Sequence, residues 1–107
     1  MSDSYNLYHN LLELAPNVPD GSILSRTFYK DERLSMVLFS FAAGEELSEH
    51  TSAFPAILHF VSGRARLRLG QDESMVEAGA WARMSPNLPH TIVAETPVVM
   101  LLLMLRS

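Results

Sequence analysis

The sequence predicts an all-β domain, a barrel or sandwich of short strands, on three observations. From Ser22 onward, β-branched and aromatic residues fall in short runs that turn residues interrupt at intervals of about 8 to 12, as packed antiparallel strands require. The stretch "RARLRL" alternates strictly between arginine and apolar residues, so its two faces differ in polarity. No segment holds a convincing helical period for more than three turns.

The first 20 residues, which run into "APNVPDG", carry two prolines, an Asp-Gly pair and no sustained period, and read as an arm ending in a turn. Tyr5, Leu7, Tyr8, Leu11, Leu12 and Leu14 are too apolar to be left in water. They are expected to drape over the core or a partner subunit, with room for one short helical turn. Residues 21–107 form the barrel. Its expected strands are Ile23 to Tyr29, Leu34 to Ala42, Ala56 to Val61, Ala65 to Leu69, Ser74 to Glu77, Trp81 to Met84, His90 to Ala94 and Val98 to Leu105. The segments "KDER", "AAGEE", "VSG", "GQDE", "EAGA", "SPNLP" and "AETP" separate them. In "RARLRL", Arg64, Arg66 and Arg68 share one face and Ala65, Leu67 and Leu69 the other, so this strand is half buried. In "VVMLLLML" both faces are apolar, so the last strand needs cover on both sides, from the core within and from the arm or another subunit without. A homodimer is the expectation.

At 107 residues the chain is one domain with one core. Apolar residues at 48% and charged ones at 19% suit an ordinary globular protein. A net charge of -4 offers no clustered positive charge for phosphate backbones or anionic lipid, which argues against nucleic-acid and membrane partners. The absence of cysteine excludes disulfides, zinc ribbons and thiol catalysis. No basic-then-apolar leader is visible, and the longest apolar run, Val98 to Leu105, falls far short of the roughly 20 residues of a membrane helix. A soluble cytoplasmic protein is expected.

The spacing of glycines, prolines and histidines resembles the cupin superfamily of small barrels, also described as RmlC-like, jelly-roll or double-stranded β-helix domains. The first cupin motif reads G-x5-H-x-H-x3-E-x6-G, and Gly44, His50, Ser52, Ala56 and Gly63 fall on its positions. The second reads G-x5-P-x-G-x2-H-x3-N, matched by Gly79, Ser85, Asn87, His90 and Ala94, with Pro86 one place beyond the family proline. The motifs occur in order across residues 44 to 94, and the flanking strands fit the same barrel. Asn87 stands for a glycine, and asparagine is the next best residue where the backbone is left-handed.

The resemblance implies one divalent metal held inside the barrel by the residues at positions 50, 52, 56 and 90. Here those are His50, Ser52, Ala56 and His90, so two ligands remain, His50 and His90. Two neutral imidazoles without a carboxylate fall short of the three protein ligands usual for a catalytic divalent ion. No cofactor is expected beyond a weakly held divalent metal. Glu49 adjoins His50 and so faces away from it on an extended strand, and His59 lies an odd number of residues after Ala56, on the outer side. Counting by two gives Leu58 and Phe60 from Ala56, and Ile92 and Ala94 from His90, on the inner face; with the positions the resemblance places there, His50, Ser52, Ala56 and His90, they make a mostly apolar ligand pocket suited to a small organic molecule.

Other residues invite chemistry and are better explained otherwise. Met36, Met75, Met84, Met100 and Met104 are spread over four strands and read as core gap-fillers rather than a copper site. The arginine stripe is balanced by Glu73 and Glu77 on its expected hairpin partner. Trp81 suits a rim, an interface or the core equally. "HTS" with a distant His90 has no orienting carboxylate and no G-x-S-x-G elbow, so a serine hydrolase is set aside. Two functions follow. One is a metal-free or weakly metal-binding cupin that holds a small molecule. The other is an enzyme, either a metal-dependent oxygenase or isomerase or a metal-free isomerase with His50 or His90 as general base.

Overall fold

The computed structural model describes residues 4–106. Two antiparallel sheets face each other. The larger orders its strands β1 (Ile23–Lys30), β2 (Leu34–Phe41), β9 (Val98–Leu105), β4 (Ala56–Ser62) and β7 (Trp81–Met84). The smaller orders β3 (Glu46–His50), β8 (His90–Ala94), β5 (Arg64–Leu69) and β6 (Asp72–Glu77). The arm contains one 3₁₀ turn, Leu11–Leu14, whose Leu12 N–H donates to the Asn10 side chain at 3.0 Å. Among the described residues, no helix is long and apolar enough to cross a membrane.

Eight of the strands lie where residue pattern places them, with ends differing by up to two residues. The ninth, β3, corrects the sequence reading, which passes from "AAGEE" to Ala56 without a strand: Glu46–His50 is itself an edge strand paired with β8. Its only apolar residue is Leu47, so no alternation advertises it.

The core lies between the sheets and is built from alternate residues of each strand. Ala56, Leu58 and Phe60 of β4 meet Val98 and Met100 of β9, Ala65 and Leu67 of β5, and Ile92 and Ala94 of β8, with Phe41 and Met84 completing the cluster. Each large side chain here contributes about 1.5–3 kcal/mol by leaving water. Two turns shape the ends of these strands. Asp31 holds the β1–β2 turn, accepting hydrogen bonds from the backbone N–H groups of Arg33 and Leu34 and from the Tyr29 hydroxyl. Gly63, between β4 and β5, has φ of +88°, and a Cβ there would run into the Pro97 carbonyl oxygen. Glycine is the residue that permits this approach.

The outer face of the larger sheet carries Met36 and Leu38 of β2, Leu101 and Leu103 of β9, Ile57 and His59 of β4, and Trp81 and Arg83 of β7, placed there by register. The arm lies over the β1–β2 side of this face. Tyr8 meets Phe28 edge-on at 5.6 Å, and an Arg26 guanidinium N–H donates to the Leu14 carbonyl at 3.3 Å. The arm thus drapes over the domain itself, and β9 receives part of the outer cover its composition demands. Trp81, left open by sequence, is not core: it is 59% exposed opposite His59 on this outer face.

The outer face of the smaller sheet is charged. Arg66 pairs with Glu73 at 3.7 Å and with Glu95 at 2.8 Å, and Arg68 pairs with Glu49 and donates to the Thr91 hydroxyl. The arginine stripe therefore binds its own sheet together. Glu73 and Glu49 take part, the latter from the edge strand that sequence did not show.

Candidate functional site

At one end of the barrel, the register of β3 on β8 sets Leu47 opposite Ile92 and then His50 opposite His90. Three steps along β3 match two along β8, so one extra residue is accommodated as a bulge. On a regular strand His50 would lie on the face opposite to that of Leu47, outside the barrel. The irregularity returns it to the inner face, while Glu49 reaches Arg68 outside. The second strand is anchored by its approach. Asn87 adopts φ of +66°, and its N–H donates to the Ser52 carbonyl at 2.6 Å, while the Pro89 carbonyl accepts from Gly70 at 2.8 Å. The first bond fixes the start of β8 against the loop that follows β3, and the second against the turn between β5 and β6.

The two imidazoles stack obliquely, with ring centroids 4.0 Å apart and planes inclined at 60°. His50 Nδ1 lies 2.9 Å from the Ser48 carbonyl oxygen, and His90 Nδ1 lies 3.0 Å from that of Leu88. A carbonyl only accepts, so in each ring Nδ1 carries the proton and Nε2 keeps its lone pair. His90 is 4% exposed, and its pKa is lowered, first by burial and further by the nearby His50, against the opposing effect of the Leu88 carbonyl. His50 is exposed at the rim. The pair thus sets a buried imidazole, kept toward its neutral form, beside a ring open to solvent.

Ser52 follows on the loop, half buried. Its hydroxyl accepts from the Phe54 N–H at 3.2 Å and points its own proton toward the Met104 sulfur at 3.9 Å. Ala56, where the resemblance expects a carboxylate, has Met84 as its neighbour across β7 and Met104 across β9, on the same inner face. Ser35 of β2 stands beyond Met104 in the same row.

The residues present do not fit the four-ligand divalent site that the resemblance implies. Two imidazoles remain, the carboxylate position is a methyl group, and among the described residues no three His, Cys, Asp or Glu side chains come together. Glu49 cannot stand in, because it is engaged on the other face. His59 lies outside, between Trp81 and Leu101.

The structure brings together His50, Ser52 and His90 and separates them from the rest of the expected pocket lining. Ala56, Leu58, Phe60 and Ile92 face inward, but they belong to the buried core, between 0% and 2% exposed. A ligand at the mouth reaches the histidines and Ser52, and touches the deeper residues only if the core parts. Sequence reasoning missed Met84 and Met104 as neighbours of this site. Parity places each on a face, but only the register of β4 with β7 and β9 brings both beside Ala56.

Neither a family model nor a curated protein matches the sequence. Solved structures do. A conserved protein of unknown function from Streptococcus pyogenes is 28% identical, with 100% of this chain and 96% of that one covered at a TM-score of 0.81. A cupin superfamily protein from Desulfitobacterium hafniense is 21% identical over 86% of this chain and 84% of its own, again at 0.81. The fold of this chain is the cupin-type barrel. A cupin 2 conserved barrel domain protein from Leptotrichia buccalis, 29% identical, matches 90% of this chain but 46% of its own length, at 0.81. The cupin barrel is thus kept while the motif positions 52 and 56 carry no metal ligand of the family kind.

Proposed function

We propose that this cupin binds a small organic molecule at the mouth of its barrel, with the two Nε2 atoms of His50 and His90 as the groups that hold it. The carrying observation is the pair of Nδ1 bonds to backbone carbonyls, which commits both rings to the same tautomer and leaves both lone pairs uncommitted. A pair of Nε2 acceptors at the edge of an apolar core suits a ligand that offers hydroxyl protons and has an apolar body. A ligand screen in the presence of a chelator tests this: compounds should bind wild type and lose binding in His90→Ala. A screen in which every hit needs added divalent metal overturns the organic-ligand reading.

A second reading has its own support. His90, held neutral by burial beside a solvent-open partner, has the protonation state of a general base near pH 7. Under this reading the bound molecule is turned over by proton transfer, as in a metal-free isomerase. Loss of turnover in His90→Gln with binding retained separates catalysis from simple binding.

We further propose that the protein acts as a cytoplasmic homodimer through the outer face of its larger sheet. That face is mostly apolar, with His59 and Ser40 within it and Arg26 and Arg83 toward its two margins, so a second copy suits it better than a strongly charged partner.

A further inference from the structure

The outer face of the larger sheet is uneven, and the unevenness restricts how a second copy can cover it. On the β1–β2 side the arm lies over the sheet, and the outward-facing Leu38 and Ser40 of β2 are buried; at the β7 margin Trp81 is mostly exposed. One margin is raised and the other bare. Between the arm and the β1–β2 ladder lies an aromatic groove of about 660 Å³, lined chiefly by Tyr5, Tyr8, Leu11, Phe28, Tyr29 and Met36. The bare margin carries the chain's single tryptophan. Register ties the two margins level by level: one outward row runs Arg26, Leu38, Leu101, His59, Trp81, and the next runs Tyr29, Met36, Leu103, Ile57, Arg83.

We propose that two copies pair through this face about a twofold axis parallel to the strands, so that Trp81 and Arg83 of each close over the arm-lined groove of the other. This rests on the homodimer reading and adds its geometry and its anchors. Two such faces can stack about a twofold that runs either across the strands or along them. Across the strands, each margin meets its own copy: raised arm presses on raised arm, the bare margins are held apart, and Arg26 and Arg83 each approach a like charge. Along the strands, the raised margin of one copy meets the bare margin of the other, twice. That rotation keeps each residue at its own level, so Trp81 comes over Arg26 and the lip of the groove at Phe28. The Arg26 guanidinium is steadied there by the Leu14 carbonyl at 3.3 Å. Arg83 comes over Tyr29, whose hydroxyl donates to the Asp31 carboxylate at 2.7 Å. Indole over guanidinium and guanidinium over aromatic rings both attract, and Trp, Tyr and Arg are the side chains that most often anchor interfaces. The five strands present roughly 550 Å² of flat face at the usual strand spacing, and the exposed Tyr5 and Leu7 of the arm extend it toward the roughly 800 Å² per partner of a stable interface.

Trp81 is the only tryptophan, so its emission and its quenching by acrylamide report this margin alone. Leu101 lies on the central strand, beside the axis, so Leu101→Glu sets two carboxylates face to face and supplies a monomeric reference. Wild type should emit to the blue of that variant and be quenched less readily, and Trp81→Ala, which spares the core, should weaken the dimer by about tenfold or more. The chain has no cysteine, so Tyr29→Cys combined with Arg83→Cys places two defined thiols. Four strand spacings, roughly 19 Å, part these positions within one chain, whereas packed sheets lie roughly 10 Å apart, so a bismaleimide of the shorter reach should join two chains. Neither single variant should cross-link. A monomeric wild type overturns this arrangement together with the homodimer reading. A dimer whose Trp81 emission and quenching match those of Leu101→Glu, whose affinity survives Trp81→Ala, or which Arg83→Cys alone cross-links overturns the arrangement and leaves the homodimer standing.

Discussion

His90 links protonation to stability. Its folded pKa lies below the ordinary 6.5, chiefly through burial, so between the two values the unfolded chain binds more protons than the native one. Stability from this group is complete above about pH 6.5 and is lost as pH falls through the lowered folded value. Denaturant midpoints measured from pH 7.5 down to 5 should therefore fall more steeply for wild type than for His90→Asn, whose amide can keep a bond to the Leu88 carbonyl without titrating. Identical slopes would show that His90 is not the titrating group. Gly63 makes a separate demand on the backbone: Gly63→Ala forces a Cβ onto the Pro97 carbonyl at a left-handed φ and should cost about 3 kcal/mol in chemical denaturation. At this scale the sequence is legible where a residue's conformation is its function. Gly63, and Asn87 at φ of +66°, sit where the motif spacing puts them. It is not legible where a residue's neighbour decides its role, as Met104 shows, because the partner lies 52 positions away in the chain.

Among the elements, β4 and β3 mark the two extremes of what pattern reveals. In β4 the buried residues Ala56, Leu58 and Phe60 alternate with less buried ones, so its inner face is evident from parity alone. Phe60→Ala should cost about 3–5 kcal/mol, and a midpoint shift under 1 kcal/mol would mean the core collapses around the gap far better than such sites usually do. In β3 one apolar residue stands among polar ones, and the strand is held as much by its partner as by burial. The inward turn of His50 follows from the cupin resemblance but not from counting residues, because the bulge between Leu47 and His50 breaks the count. Glu49, paired with Arg68, ties this edge to the strand beyond its neighbour. Both side chains remain partly solvated, so Glu49→Gln should lower stability by less than about 1 kcal/mol, with the difference shrinking at high salt.

For the whole molecule, the outer face of the larger sheet is the feature that composition announces and the arm only partly answers. The arm meets β1 and reaches across toward β2, while Trp81, at the far edge, remains mostly exposed. If a second copy covers this face, the solution mass at micromolar concentration should be that of a dimer and Leu101→Glu should halve it; a monomeric wild type would remove the proposal. The all-β class, the strand count less one and the core faces were legible because each depends on local period. The arm's path and the contents of the mouth were not, since both depend on which strands lie side by side. The two sheets also leave four strands with an unpaired side, β1, β3, β6 and β7, and each carries charge: Arg26 and Lys30, Glu46 and Glu49, Asp72, Glu73 and Glu77, and Arg83. The central strands of the larger sheet, β2, β9 and β4, carry no Asp, Glu, Lys or Arg. Chains that meet edge to edge therefore bring charge against their neighbour, and the aggregation-prone sequence stays shielded until the large sheet itself comes apart.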